Sequence, residues 1–175
     1  MEAVIPYDLL LRAGIDVVVA SLNGEKSVTG AHGLTVESTV ALENAGEDFD
    51  LILLPGGLPG SEYLAKSDAV CQRVQQQLKA GKYVAAICAA PAFVLAKACD
   101  VVKGKNVTGY PGTEEMLSES GGNVVDCNAV QDGNLITGKG PGAAADFALK
   151  IISVLKDQET ADEVASQALF SVEGH

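Results

Sequence analysis

The chain has 175 residues, 47% of them hydrophobic and 20% charged, with a formal net charge of −11. That composition is enough to bury a sizeable core and excludes a disordered chain. The deficit of Lys and Arg excludes a general binder of nucleic-acid phosphates, and an acidic surface repels anions.

The longest nearly uninterrupted apolar stretch, residues 83–96, contains Pro91 and is too short to span a bilayer, so no membrane partner is expected. Glu2 and Asp8 lie inside the apolar opening, which lacks the basic-then-apolar form of a secretory signal. A cytoplasmic location is expected. The alternative is an organelle such as a chloroplast or mitochondrion, after loss of a transit peptide. Cys71, Cys88, Cys99 and Cys127 match no disulfide-rich module and no zinc motif, and a chain of this length needs no such staples. Free thiols in a reducing compartment follow. With His32 and His175 the only histidines, no metal site is expected.

In chain order, residues 2–12 read as a helix that Gly14 terminates. Residues 15–20 are a β-branched strand, and Asn23-Gly24 is a turn. Residues 28–42 hold one or two short edge strands. A buried strand over residues 49–54 runs into Pro55-Gly-Gly-Leu-Pro-Gly60. Apolar positions at Leu64, Val70, Val74 and Leu78 predict one amphipathic helix over residues 61–79, with Gly81 beyond its end. A strand follows that ends on Cys88, then a helix over residues 92–98, a short strand at 107–110 and a short helix at 113–119. Residues 124–130 and 135–137, joined by Asp132-Gly133, predict a hairpin, and helices follow over 143–155 and 161–169. Strands alternating with helices define an α/β fold with a mostly parallel sheet covered on both faces, as one domain over residues 1–175.

The chemistry concentrates where the run ending at Ile87-Cys88 gives way to a helix-forming run. A sharp strand-to-helix turn of this kind lifts a reactive side chain above the sheet. Unpaired N–H groups at the helix start favour a thiolate, so a lowered thiol pKa is expected at Cys88. By position alone a second reading stands beside it, because free cysteine is most often a small buried hydrophobe. Cys71, Cys99 and Cys127 are read as that kind of thiol. Glycine-rich corners also follow the strands at residues 55–60 and 138–142, the end of a parallel sheet where ligands gather. The spacing Gly-x-Gly-x-x-Gly and the Walker phosphate loop are absent.

The motifs Glu2-Ala-Val-Ile-Pro6, Leu54-Pro-Gly-Gly57, Ala86-Ile-Cys-Ala-Ala-Pro91 and Gly138-Lys-Gly-Pro-Gly142 occur in that order. Together they resemble the ThiJ/PfpI superfamily and, within it, the Parkinson-associated deglycase branch, the DJ-one family. The resemblance spans nearly the whole chain. It implies a flavodoxin-like three-layer sandwich, a homodimer and no metal or organic cofactor. It also implies a nucleophile at Cys88, a partner carboxyl at Glu2, and an oxyanion or substrate site at Gly56, Gly57 and Ala89. Asp8 and Arg12 correspond to polar residues near the dimer interface.

The implied activity is that of a glyoxalase III-type lyase and protein deglycase. Its substrates would be methylglyoxal, glyoxal and early glycation adducts on proteins, with protection against carbonyl and oxidative stress. Like charges repel, so the Glu2 carboxyl is expected to stay protonated beside a Cys88 thiolate. The alternative is a redox-sensing chaperone in which Cys88 is oxidised to a sulfinate without turnover. A cysteine peptidase is a third reading, weakened by departures from the pattern. Tyr110, followed by Pro111, stands where many members place a histidine, so it either hydrogen-bonds substrate or fills the pocket wall. His32 belongs to a loop expected to face water, or to reach the site across a dimer interface. Lys139 stands where an arginine is common. The family also has a strand of about ten residues before the glutamate helix; its absence is expected to remove a core strand and leave backbone edges unpaired, so either the chain is truncated or another segment fills the gap.

Overall fold

A computed structural model describes residues 1–170; the remainder, His175 included, lies outside the described residues. The central sheet has the order β5-β6-β10-β9, with strands β5 (Leu51–Leu54), β6 (Tyr83–Ile87), β9 (Ala129–Asp132) and β10 (Leu135–Gly138). β6 runs parallel to both β5 and β10, and β9 closes the edge antiparallel to β10. The expected parallel α/β sandwich is present.

Alternation along β6 assigns its side chains to two layers. Val84 and Ala86 enter a core shared with α2 (Gly60–Ala65), α3 (Asp68–Lys79) and α4 (Glu114–Glu119). Ala85 and Ile87 enter the opposite core, under α1 (Val4–Arg12), α5 (Ala144–Leu155) and α6 (Gln158–Gln167). A strand buried on both faces needs this unbroken apolar run, which is why residues 84–90 are all buried. The helix Pro91–Ala98, here the elbow helix, leaves the end of β6 and closes on a wide turn, where Cys99 N–H donates to Val94 O at 2.8 Å.

Several expectations change at element boundaries. The single helix over 61–79 is two, because Ser67 starts a new helix by accepting a hydrogen bond from Val70 N–H at 3.4 Å. Only β1 (Ala20–Ser21) of the expected strand at 15–20 is laddered, pairing parallel with β4 (Val40–Ala41). Among the described residues, 15–19 have no neighbouring strand on which to build a ladder, and β5 pairs with β6 alone. The segment read as edge strands forms the hairpin β2 (Ser27–Thr29) and β3 (Thr35–Glu37), with His32 exposed in its turn. The strand at 107–110 shortens to β7 (Asn106–Val107), which pairs with β8 (Asn123–Val124). The predicted hairpin forms between β9 and β10 around Gly133.

The larger correction concerns the cysteines. Cys71 and Cys99, read as free thiols, form a disulfide across 28 residues of sequence, with their Cα atoms 5.1 Å apart. Their spacing matches no module because packing of α3 against the elbow helix creates the proximity. Among the described residues, no helix is long and apolar enough to cross a membrane, and no cluster of three or more His, Cys, Asp or Glu side chains is placed to hold a metal ion.

Closing a loop of this length restricts the unfolded chain and contributes about 3–4 kcal/mol in the chain-entropy account. Cys71→Ser is therefore expected to lower unfolding free energy by about that amount in urea titrations under oxidising conditions. Equal midpoints for the two proteins would contradict it.

Candidate active site

Parallel register brings the site together. Leu54 pairs with Ala86, so the next outward-going residues, Gly56 and Cys88, meet just beyond the strand ends. Gly138, at the end of β10, pairs with Ile87 on the other side. Cys88 adopts φ 65°, a left-handed conformation that costs a non-glycine residue of order 1–3 kcal/mol. Backbone hydrogen bonds hold it there. Cys88 N–H donates to Gly138 O at 2.9 Å, and Tyr110 N–H donates to Cys88 O at 2.9 Å. Thr113 Oγ1 in turn donates to Tyr110 O at 2.7 Å, and Thr108 N–H donates to Thr137 Oγ1 at 2.9 Å. The sharp turn after β6 is therefore fixed from both neighbouring loops.

α1 delivers Glu2, half-buried, against the same sulfur, while the N–H groups of Gly57 and Ala89 approach it from the loop after β5 and from the elbow. Gly56 makes the approach possible. A Cβ there would stand 2.5 Å from Cys88 Cβ and 2.6 Å from Glu2 Oε2, closer than any side chain allows. Glu2, Gly56, Gly57, Cys88 and Ala89 thus form one cluster.

The electrostatics reverse one expectation. The Cys88 thiol is pushed up to about 11, chiefly because burial penalises the thiolate. The hydrogen bond and negative charge of Glu2 add to the effect, while the Gly57 and Ala89 N–H groups oppose it. Helix-start donors are present as anticipated, but Cys88, only 6% exposed as a residue, loses more from desolvation than they return. Burial and the neighbouring Glu2 thus favour the thiol form of Cys88 over the thiolate expected from the helix start.

The remaining residues fall around this centre. Tyr110 is half exposed, with its ring against Gly140, where a Cβ would meet ring carbon Cδ2 at 3.3 Å. It walls an open cleft of about 330 Å³ that Pro111, Asn128 and Lys139 also line. Lys139 is engaged by Asp126 at 2.5 Å rather than standing free for an anion. Arg12 Nε donates to Asp8 at 2.7 Å along the outer face of α1. Cys127 is a free thiol, raised by burial and by Asp126. Sequence reasoning missed Thr113 and Thr108; their only signal was a pair of threonines flanking Gly109-Tyr110.

A flavodoxin-like sheet with a left-handed cysteine at the end of a central parallel strand defines a class of elbow-type α/β proteins. A profile of the DJ-1/PfpI family matches residues 1–154, and the chain belongs to that family. It is 43% identical to the Drosophila melanogaster protein dj-1beta over 172 residues, covering 98% of this chain and 91% of the relative. It is 34% identical over 160 residues to the Caenorhabditis elegans glutathione-independent glyoxalase DJR-1.2, covering 91% and 83% of the two chains. The crystal structure of Drosophila DJ-1beta superposes with a TM-score of 0.91 at 40% identity, over 97% of this chain and 91% of that one.

The burial of Cys88 predicts a pH profile. Its alkylation by iodoacetamide should rise about tenfold per pH unit through neutrality and level off only near 11. Glu2→Gln removes the nearby negative charge, so its inflection should fall to lower pH. A wild-type plateau already reached below pH 8, or an unmoved inflection in the variant, would refute the arrangement.

Proposed function

We propose that the protein is a cofactor-independent glyoxalase that converts small 2-oxoaldehydes to 2-hydroxy acids through Cys88. The observation that carries this reading is the cluster itself: a clamped cysteine with a carboxylate on one side and two backbone N–H groups on the other. A DJ-1 relative named as a glutathione-independent glyoxalase supports it.

In the first step Cys88 Sγ adds to the aldehyde carbon of methylglyoxal while its proton passes to Glu2. The burial that raises the thiol also keeps the base within reach, so ionisation is coupled to attack. The aldehyde oxygen becomes an oxyanion facing the Gly57 and Ala89 N–H groups. Glu2 passes that proton to the oxyanion, giving a neutral hemithioacetal, and as a carboxylate again removes the hydrogen on the former aldehyde carbon, giving an enediol. It then returns this proton to the neighbouring carbon as the enediol hydroxyl on the sulfur-bearing carbon gives up its own. A lactoyl thioester on Cys88 results, and water releases lactate and the thiol. No external oxidant is consumed, because one carbon is oxidised as its neighbour is reduced. Glyoxal gives glycolate by the same path. Attack on the hemiaminal of an early glycation adduct would extend it to deglycase chemistry, in the cytoplasm or an organelle where such carbonyls arise.

Oxidation of Cys88 as a sensor, with a chaperone role, ranks second. Peroxide also reacts with the thiolate, and a thiol raised to about 11 supplies little of it without a substrate-coupled base. Cys88→Ser and Glu2→Gln should each reduce lactate formation from methylglyoxal by about 100-fold or more. Equal turnover in all three proteins would end the proposal.

A homodimer is proposed on the family resemblance and on α1. Its exposed face carries Val4, Tyr7 and Leu11, an apolar stripe at helical spacing beside the Asp8–Arg12 pair. Sedimentation equilibrium should return twice the chain mass, and Tyr7→Glu should shift it toward the monomer. A wild-type monomer at high concentration would contradict this.

A further inference from the structure

We propose that Cys71 and Cys99 form a reversible thiol–disulfide couple, opened by dithiols at Cys71, that governs access to Cys88 from the far end of the elbow helix. The inference does not rest on glyoxalase activity.

Placement is the first argument. The elbow helix begins at Pro91, three residues beyond Cys88, and ends at Ala98, so Cys99 fixes its far end to α3. The near end carries the Ala89 N–H that meets the Cys88 sulfur. One short rigid element thus has the disulfide at one end and the reactive cysteine at the other. It is wound in wide turns along its whole length, the last closing at Cys99, a geometry that is uncommon over eight residues and frequent at functional sites.

Exposure sets the direction of attack. Cys99 is 1% exposed, whereas Cys71 is half-buried on α3. Thiolate displacement at a disulfide proceeds in line, so an incoming thiolate reaches Cys71 Sγ and expels Cys99, which takes up a proton. The second thiol of the reductant then attacks its own sulfur in the mixed disulfide and frees Cys71. Two electrons have passed from dithiol to protein, leaving two protein thiols and an oxidised reductant. A disulfide-form oxidant reverses the sequence.

The opened pair is held ready to close again. Gln75, one turn along α3 from Cys71, donates from Nε2 to Cys99 O at 2.9 Å. That tether keeps the elbow helix in register with α3 when the covalent bond is gone. What changes is the freedom of the helix. Cys88 exposes only 6% of its surface, so small displacements of the elbow alter reagent access steeply.

The experiment treats native protein with dithiothreitol, labels it with iodoacetamide and maps labels by peptide mass. Cys71 and Cys99 should both become labelled while helical circular dichroism is retained. Glutathione should leave its mixed disulfide on Cys71 and not on Cys99. Cys88 should label about threefold faster or more after reduction, and return to the slow rate on reoxidation. A Cys71→Ala/Cys99→Ala double variant should show the fast rate with or without dithiol. Labelling at 71 and 99 only upon unfolding would overturn the couple. Unchanged Cys88 labelling, or acceleration by dithiol persisting in the double variant, would overturn the link to the elbow.

Discussion

Cys88 sits against Glu2 on one side and the backbone N–H groups of Gly57 and Ala89 on the other, and burial holds its thiol well above the ordinary range. Burial of β6 removes water from the sulfur, and α1 sets a negative charge beside it. The side-by-side pairing of β5 and β6 makes residue 56 the neighbour of Cys88. Only glycine fits at that position, since a Cβ would overlap Cys88 and Glu2 at once. The left-handed turn at Cys88 completes the approach, with its own N–H and C=O both engaged by neighbouring loops.

A protonated resting nucleophile is compatible with catalysis on aldehydes. At pH 7 a thiol titrating near 11 is ionised in about one molecule in ten thousand. Thiolates of high pKa are, however, intrinsically better nucleophiles, and they leave a hemithioacetal less readily. In the proposed mechanism Glu2 takes the thiol proton at the moment of attack, so the reaction would need no standing population of thiolate. A thiolate stabilised at rest would be exposed to oxidation between turnovers. On that proposal, desolvation exchanges constant reactivity for reactivity that a bound carbonyl would elicit.

Much of this was legible in the residues. β-branched and apolar runs located β5, β6 and β10, and the change from strand-like to helix-like sequence at Cys88 located the elbow. The break at Ser67 was readable as an N-cap, but the apolar stripe of α3 continues in phase across it and conceals it. The threonine supports at 108, 113 and 137 and the juxtaposition of Gly56 with Cys88 depend on strand register, which no spacing rule supplies. The disulfide was hidden for a similar reason, since its two cysteines meet only after two helices pack on the same core. The direction of the Cys88 shift was misjudged because helix-start donors are visible in a sequence and the depth of burial is not.

Charge placement distinguishes the two reactions available to such a sulfur. In the proposed reaction, adding a carbonyl transfers the thiol proton to Glu2 and leaves the negative charge on the former aldehyde oxygen, beside the Gly57 and Ala89 donors. Oxidation to a sulfinate leaves a permanent anion on the sulfur itself, in a site whose burial and neighbouring carboxylate both penalise negative charge there. That product is tolerable only if Glu2 takes up and keeps a proton. Desolvation, the neighbouring Glu2 and the backbone donors are therefore the grounds on which the proposed carbonyl chemistry is preferred to a lasting charge on Cys88.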